Sequence, residues 1–207
     1  ESQIKQLNLF IIGVGNVGGK ILEQIKMQEN YLSEFLGLKI RVLGISNSRK
    51  MILSKNPIKL SNWEKKLDQS IDSADKEAFF SHAIKLNLRN SIFVDNTANE
   101  SIAKEYLRYL KNSIGVVTCN KIAASDTLDN YLNLKNISRK YGSSFLFETN
   151  VGAGLPIIDT LNNLVASGDQ ILEIQAVLSG SLNFIFNNFK KGISFYEVTK
   201  NAQKNGF

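Results

Sequence analysis

The chain alternates short apolar runs with stretches in which apolar residues recur every three or four positions. The apolar runs occupy residues 9–12, 40–45, 91–94, 114–118 and 145–147. Such runs are typical of strands buried on both faces, and the intervening spacing is typical of amphipathic helices. Because strand and helix alternate about five times, we predict a Rossmann-like, doubly wound parallel sheet of the α/β class with helices on both faces.

Weaker patterns fill the segments between these runs. Residues 46–61 predict a loop, and Ser61 with Glu64 predicts a capping box at the start of a short helix. One helix is predicted through residues 102–110, and another from about Asp126 to Tyr141.

After Glu148 the pattern changes to a glycine-rich turn over residues 150–156, in which Pro156 is well placed to open a helix. That helix is expected to end at Gly168. Alternation over residues 171–178 then predicts a strand, and residues 179–186 place apolar bulk behind a small-residue turn. We predict one domain over residues 1–148 and the beginning of an α+β second domain over residues 149–207.

A glycine motif follows the first predicted strand directly and opens the first predicted helix. It reads Gly13-Val14-Gly15-Asn16-Val17-Gly18, which is GxGxxG. In a dinucleotide-binding turn the first glycine permits a tight turn and the second lets the backbone approach a pyrophosphate. The third allows the helix to pack closely on the strand. This context favours dinucleotide binding over a purely structural turn.

The end of the second predicted strand bears on which dinucleotide binds. NAD-selective sites place an acid there for the ribose hydroxyls, whereas an arginine accommodates a 2′-phosphate. Residues 46–50 contain no acid and end in Arg49 and Lys50. We therefore expect NADP, with NAD possible, and the alternative is that Arg49 is only a solvated loop charge.

Two further strand ends carry polar residues, namely Asn96-Thr97 and Asn120-Lys121. Ligands of open parallel sheets bind beyond the carboxyl ends of the strands. Lys121 is therefore a candidate for binding an anion or transferring a proton, although surface lysines are common. Cys119 beside it is a candidate nucleophile, but His82, the single histidine, lies in a predicted helix without an obvious partner.

Composition excludes several classes of protein. Cys119 is the single cysteine, so an internal disulfide framework and a cysteine metal cluster are excluded and a reducing, cytoplasmic setting is expected. No apolar run approaches the length of a membrane span. The net charge of +6 is spread along the chain without interleaved aromatic residues, so we expect no nucleic-acid partner and no membrane partner.

Glu148 and the turn after it suggest a different site. A carboxylate beside a glycine-rich turn with free carbonyl groups can bind a hard monovalent cation through oxygen atoms. The alternative is a hinge turn with a capping carboxylate.

Four segments together resemble a known family. They read IIGVGNVGG, VVTCNK, ETNVGAGLPIIDTL and LSGSLNFIF, in this order. Their sequence and separation closely resemble homoserine dehydrogenase, and the first and last are most similar to the dehydrogenase half of the bifunctional aspartokinase/homoserine dehydrogenases. The resemblance covers essentially the whole chain.

The resemblance implies NAD(P)H-dependent reduction of aspartate 4-semialdehyde to homoserine, a step of threonine and methionine biosynthesis. It implies that the cofactor lies on Gly13 to Gly18 with Thr97 nearby, and that Lys121 lies between nicotinamide and substrate. It also implies a sodium-like ion on Glu148 and the carbonyls of Val151, Ala153 and Leu155. Residues 179–186 resemble a segment that forms a dimer contact, so a homodimer or higher homo-oligomer is expected of the intact protein.

The family pattern continues beyond Gly206-Phe207 with acidic residues and a second lysine that bind substrate. We therefore expect this chain to be a fragment that is inactive alone. Two alternatives stay open. One is another NAD(P)-dependent semialdehyde oxidoreductase that acts through Cys119, and the other is a non-catalytic nucleotide-binding or assembly module.

Overall fold

The computed structural model describes residues 4–206. The chain divides into two compact units between Phe147 and Glu148, whereas the sequence pattern placed the domain boundary one residue later. The first unit contains a sheet with helices, and the second is helical over the residues that the structure describes.

Six strands form one sheet in the first unit. In the order β3-β2-β1-β4-β5-β6, every pair of neighbours is parallel except β2 and β3, which are antiparallel. The strands are β1 (Lys5–Ile12), β2 (Leu38–Ser46), β3 (Met51–Leu53), β4 (Ser91–Asp95), β5 (Gly115–Thr118) and β6 (Phe145–Leu146). The predicted Rossmann-like class is confirmed.

Helices pack against both faces of this sheet. Side chains of β1 alternate between two buried clusters, with Leu9 and Ile11 in one and Phe10 and Ile12 in the other. The first cluster includes Leu22 of α1 and Leu67 of α2, and the second includes residues of α3, α5 and α6. The helices are α1 (Asn16–Leu36), α2 (Trp63–Asp68), α3 (Lys76–Leu86), α4 (Glu100–Ala103), α5 (Tyr106–Lys111) and α6 (Leu128–Tyr141).

Three details of the first unit differ from the sequence-based expectations. The predicted loop 46–61 contains β3, because the Asn47 side-chain oxygen accepts the backbone N–H groups of Arg49 and Lys50, each at 2.7 Å, and so turns the chain back. The predicted helix 102–110 is divided into α4 and α5. The capping-box prediction is wrong, since α2 begins after Asn62 without a side-chain cap.

The second unit starts with a 3₁₀ turn (Glu148–Asn150) and continues with α7 (Ile157–Ala166), α8 (Gly180–Asn188) and α9 (Phe195–Lys204). The strand predicted over residues 171–178 is wrong. That segment is irregular and largely exposed, and within residues 148–206 it has no strand to pair with. Within the described part of the chain, no helix has both the length and the apolar character needed to cross a membrane.

Candidate functional site

The turn between β1 and α1 requires glycine at two of its three motif positions. Gly13 has a φ of +89°, and a Cβ there would lie 2.8 Å from Thr97 Cγ2. A Cβ on Gly18 would overlap the Gly13 carbonyl oxygen. A Cβ on Gly15, in contrast, would meet nothing within 4 Å. The turn is therefore closely packed on its protein side and open at Gly15.

This open point is also the start of a long helix. Gly15 is the N-cap of α1, it provides no side-chain cap, and the first turn contains no acidic residue. The first backbone N–H groups of α1, around Asn16 and Val17, therefore form a helix N-terminus that is uncapped and electropositive. Such a terminus suits an anionic group such as a pyrophosphate.

The turn after β2 lies beside the glycine turn, because the Gly13 N–H donates to the Ser46 carbonyl at 2.8 Å. Lys50 donates through Nζ to the Asp68 carbonyl. The Arg49 side chain is exposed and, within residues 4–206, makes no hydrogen bond or ion pair. Of the two basic residues in this turn, Arg49 is therefore the one available to a ligand.

The loops after β4 and β5 bring two further candidates to the same edge of the sheet. Thr97 packs against Gly13, and the Asn96 N–H donates to the Ile12 carbonyl at 2.9 Å. The Cys119 N–H donates to the Asp95 carbonyl at 3.1 Å, which joins the end of β5 to that of β4. Lys121, two residues further on, is exposed. The glycine turn, Thr97 and Lys121 therefore occupy consecutive strand ends.

Sequence reasoning missed a buried polar cluster directly beneath these loops. Its members are Asp95, Tyr106, Thr118 and Asn120, and the Tyr106 hydroxyl donates to Asp95 Oδ2 at 2.6 Å. Burial, and then the Asp95 charge, raises the pKa of Tyr106 far above its usual value. The one signal in the sequence was an aspartate, Asp95, at the end of an apolar strand.

Within residues 4–206, the contacts shown for His82 are with Ser54 and Phe10, not with Cys119. His82 Nε2 lies 3.1 Å from the Ser54 carbonyl, and its ring meets the edge of Phe10. Burial, followed by the Asp95 charge, raises the pKa of the Cys119 thiol, although nearby Lys121 lowers it. Since the thiolate is the reactive form, these surroundings disfavour nucleophilic chemistry at Cys119.

In the second unit, Glu148 caps a helix. Its two carboxylate oxygens accept the backbone N–H groups of Ile158 and Asp159 at 2.9 and 2.7 Å. The turn before that helix contains Ala153 at a φ of +51°, and the Leu155 carbonyl accepts the Ile157 N–H at 3.0 Å. Of the two interpretations of this segment, the capping carboxylate is present in the structure.

Comparison with known families and proteins gives consistent results. The homoserine dehydrogenase NAD-binding domain matches residues 13–148, and the homoserine dehydrogenase domain matches residues 156–207. A bifunctional aspartokinase/homoserine dehydrogenase of Haemophilus influenzae is 41% identical over 98% of this chain, which spans 25% of that protein. A homoserine dehydrogenase of Schizosaccharomyces pombe is 39% identical over 97% of the chain, which spans 55% of it.

Solved structures agree with these relatives. A hyperthermophilic archaeal homoserine dehydrogenase in complex with NADPH is 26% identical, with a TM-score of 0.78 over 97% of this chain and 61% of that protein. The family models together cover most of the described residues, including the glycine turn and the strand ends. This chain therefore belongs to the homoserine dehydrogenase family.

Proposed function

We propose that the protein to which this chain belongs is a homoserine dehydrogenase that reduces L-aspartate 4-semialdehyde to L-homoserine with NAD(P)H. The observation that carries the proposal is the glycine turn of this chain, which belongs to the family and whose turn is open at Gly15, beside the uncapped N-terminus of α1. The chain spans about a quarter to a half of the curated relatives, so the proposal concerns the whole protein.

The backbone from Gly13 to Gly18 binds the cofactor pyrophosphate, with Asn16 and Val17 contributing N–H groups of the helix terminus. Arg49 binds the 2′-phosphate and makes NADP the preferred cofactor. Two observations support this assignment: the guanidinium is exposed and makes no ion pair with another described residue, and β2 ends without an acid. The archaeal relative described as a complex with NADPH is consistent with it.

When bound along Gly13 to Gly18, the cofactor would supply a hydride to the aldehyde carbon, and the resulting alkoxide would take up a proton from solvent to give the alcohol. Lys121 stabilises the negative charge that develops on the aldehyde oxygen, and a cation positioned in this way lowers the activation barrier. Thr97 lies against Gly13 and borders the cofactor on the side of the β4 loop. Exposure of Lys121 on the loop after β5 is consistent with direct contact to a ligand.

A monovalent cation such as sodium binds to Glu148 and to the carbonyls of Val151, Ala153 and Leu155. Each carboxylate oxygen has a second lone pair beyond the one used by the α7 N–H groups. Sodium should raise the melting temperature saturably, because it binds the folded state, whereas tetramethylammonium should not. Glu148→Gln also replaces one of the two oxygens that cap α7 with an NH2 group and so lowers the melting temperature without sodium. The measurement that tests the proposal is therefore the loss of the sodium-dependent increase.

The intact protein forms a homodimer or larger homo-oligomer and works in the cytoplasm on small-molecule substrates. Size-exclusion chromatography with light scattering measures the first property. The cellular compartment is tested by fractionating the source cells, because a bifunctional relative of Arabidopsis thaliana is described as chloroplastic.

The central test uses the whole protein that contains this chain. Lys121→Ala should depress kcat for homoserine oxidation far more than it weakens NADPH binding, since its interaction forms chiefly in the transition state. Lys111→Ala, a change at an exposed lysine in the last turn of α5, is the matched control. Full activity of the Lys121 variant, or loss of activity after alkylation of Cys119, would favour a different semialdehyde chemistry.

A further inference from the structure

Four polar side chains lie buried at the carboxyl ends of β4 and β5, under the loops that carry Thr97 and Lys121. Asp95 and Tyr106 are 0% exposed, Asn120 is 2% exposed and Thr118 is 3% exposed. We call this group the Asp95 cluster. It lies entirely within the first unit, and α5 contributes Tyr106 while the strand ends contribute the rest.

The Asp95 carboxylate accepts hydrogen bonds on both oxygens. Oδ2 accepts from the Tyr106 hydroxyl at 2.6 Å and from Asn120 Nδ2 at 3.0 Å, and Oδ1 accepts from the Thr97 N–H at 2.8 Å. Three donors therefore surround the carboxylate inside the protein. A carboxylate held this way has one favoured orientation, because each rotation loses at least one charge-assisted bond.

Thr118 and Tyr106 complete the cluster. The single proton of the Thr118 hydroxyl has two acceptors within reach, the Tyr106 oxygen at 2.7 Å and the Asp95 carbonyl at 3.1 Å. The Thr118 oxygen accepts the Asn120 N–H at 2.8 Å. Because burial keeps the raised-pKa Tyr106 protonated, its hydroxyl is a permanent donor to Asp95. The Tyr106 hydroxyl therefore remains a hydrogen-bond donor within the cluster.

Asn120 extends the cluster into both loops. Its Nδ2 also donates to the Asn99 carbonyl at 3.1 Å, and its Oδ1 accepts the Ile122 N–H at 3.2 Å. Lys121 lies between Asn120 and Ile122, so the backbone is fixed on both sides of it. On the β4 side, Asp95 Oδ1 fixes the N–H of Thr97 itself.

Stability alone does not account for a buried charge with this many polar partners. Apolar residues of similar volume often stabilise a core as well as a buried ionic group does. What the polar arrangement adds is direction, because both loops are anchored to the same carboxylate. We propose that Asp95, Tyr106, Thr118 and Asn120 are positioning residues that set Thr97 and Lys121 against the nicotinamide half of the cofactor. This inference rests on the proposed function.

The matched pair for testing it is Tyr106→Phe and Tyr109→Phe. Both tyrosines are buried in α5, and the ring of Tyr109 stacks on that of Phe93 with 4.0 Å between the ring centroids. Within residues 4–206, the Tyr109 hydroxyl makes no hydrogen bond, so only the change at Tyr106 removes a bond to Asp95.

The measurement is the Kd for NADPH and for adenosine 2′,5′-bisphosphate, which lacks the nicotinamide half. Tyr106→Phe should weaken NADPH binding by about tenfold, equivalent to one lost bond to a charged group, and should leave the bisphosphate Kd within about twofold. Tyr109→Phe should change neither Kd. In the whole protein, Tyr106→Phe should also lower kcat for homoserine oxidation while leaving KM for homoserine within about threefold.

Each other outcome counts against the inference. If unmodified protein binds NADPH and Tyr106→Phe binds it equally well, or loses both ligands equally, the cluster has no positioning role while the proposed function stands. If the unmodified protein binds neither ligand, the proposed function falls and the inference falls with it. Should Tyr106→Phe not fold, Thr118→Val is titrated in the same way, with Thr118→Ser expected to retain the NADPH affinity.

Discussion

The two ends of the candidate site are built in opposite ways. The end at Gly13 to Gly18 is formed by backbone, and its geometry requires that the glycines have no side chains. The end at Thr97 and Lys121 is supported by the Asp95 cluster, and it depends on hydroxyl, amide and carboxylate groups that are present. Substitutions that add a side chain should therefore disrupt binding at the glycine turn, and substitutions that remove a polar group should disrupt it at Thr97 and Lys121.

The largest expected effect is from Gly18→Ala. Its methyl group would overlap the Gly13 carbonyl oxygen, which is backbone and cannot rotate away. Overpacking of this kind costs about 3 kcal/mol, so the urea midpoint should fall sharply and NADPH binding should be lost.

Gly19→Ala is the control for this change. A Cβ there would lie 3.9 Å from Trp63 Cζ2, which is ordinary contact, and alanine favours a helix interior over glycine by about 1 kcal/mol. We expect Gly19→Ala to be neutral or stabilising. Equal destabilisation by both variants would mean that close packing of α1 on the glycine turn is not what Gly18 provides.

The second effect is from Gly15→Val, which separates binding from folding. A side chain at Gly15 enters open space, so the thermal transition should stay within a few degrees of the original. The same side chain should keep a pyrophosphate from the N-terminus of α1 and weaken NADPH binding by on the order of a hundredfold, equivalent to two lost charge-assisted bonds.

Gly15→Ala tests whether the loss of NADPH binding increases with the size of the side chain. The smaller methyl group should give an intermediate NADPH Kd by fluorescence titration at the same stability. If both variants bind NADPH as the unmodified protein does, the pyrophosphate does not approach Gly15.

The contrast between the two ends also explains what the sequence predicted. The glycine turn was predictable because its geometry depends on residues within six positions, and the strand before it and the helix after it are strong local patterns. Four of the six strands follow from apolar runs in the same way, and the short run at residues 145–147 predicts β6 with one residue more than it has.

The features that were missed depend on partners distant in sequence or on short elements. Tyr106 meets Asp95 and Thr118 only after two strands and a helix are packed together, and its spacing alone indicates an ordinary core residue. The three-residue strand β3 is defined by its pairing with β2 and not by its own pattern. The alternation over residues 171–178 predicted a strand, but pairing within residues 148–206 was not available to it.

The third effect, smaller again, is from Arg49→Ala. Loss of a hydrogen bond from a charged group costs about 1.5 to 3 kcal/mol, so the NADPH Kd should rise about tenfold or more while the NADH Kd stays unchanged. Lys50→Ala is the neighbouring control, because its ammonium group already donates to the Asp68 carbonyl. An equal loss for NADPH and NADH would remove Arg49 from 2′-phosphate recognition and leave the glycine turn as the shared site.

The smallest expected effect on binding is at Cys119, which directly follows Thr118 of the Asp95 cluster in the chain. Cys119→Ser should leave the NADPH Kd within about twofold, less than the cost of one ordinary hydrogen bond.

In the unmodified protein, the reactivity of the Cys119 thiol should report on the charge of Asp95. Burial and the Asp95 charge raise the pKa of this thiol, so at neutral pH less of it is thiolate than in glutathione, and its alkylation by iodoacetamide should rise at a higher pH. Asp95→Asn removes the charge and should move that rise to lower pH, whereas an unmoved profile would mean that the Asp95 charge does not act on Cys119.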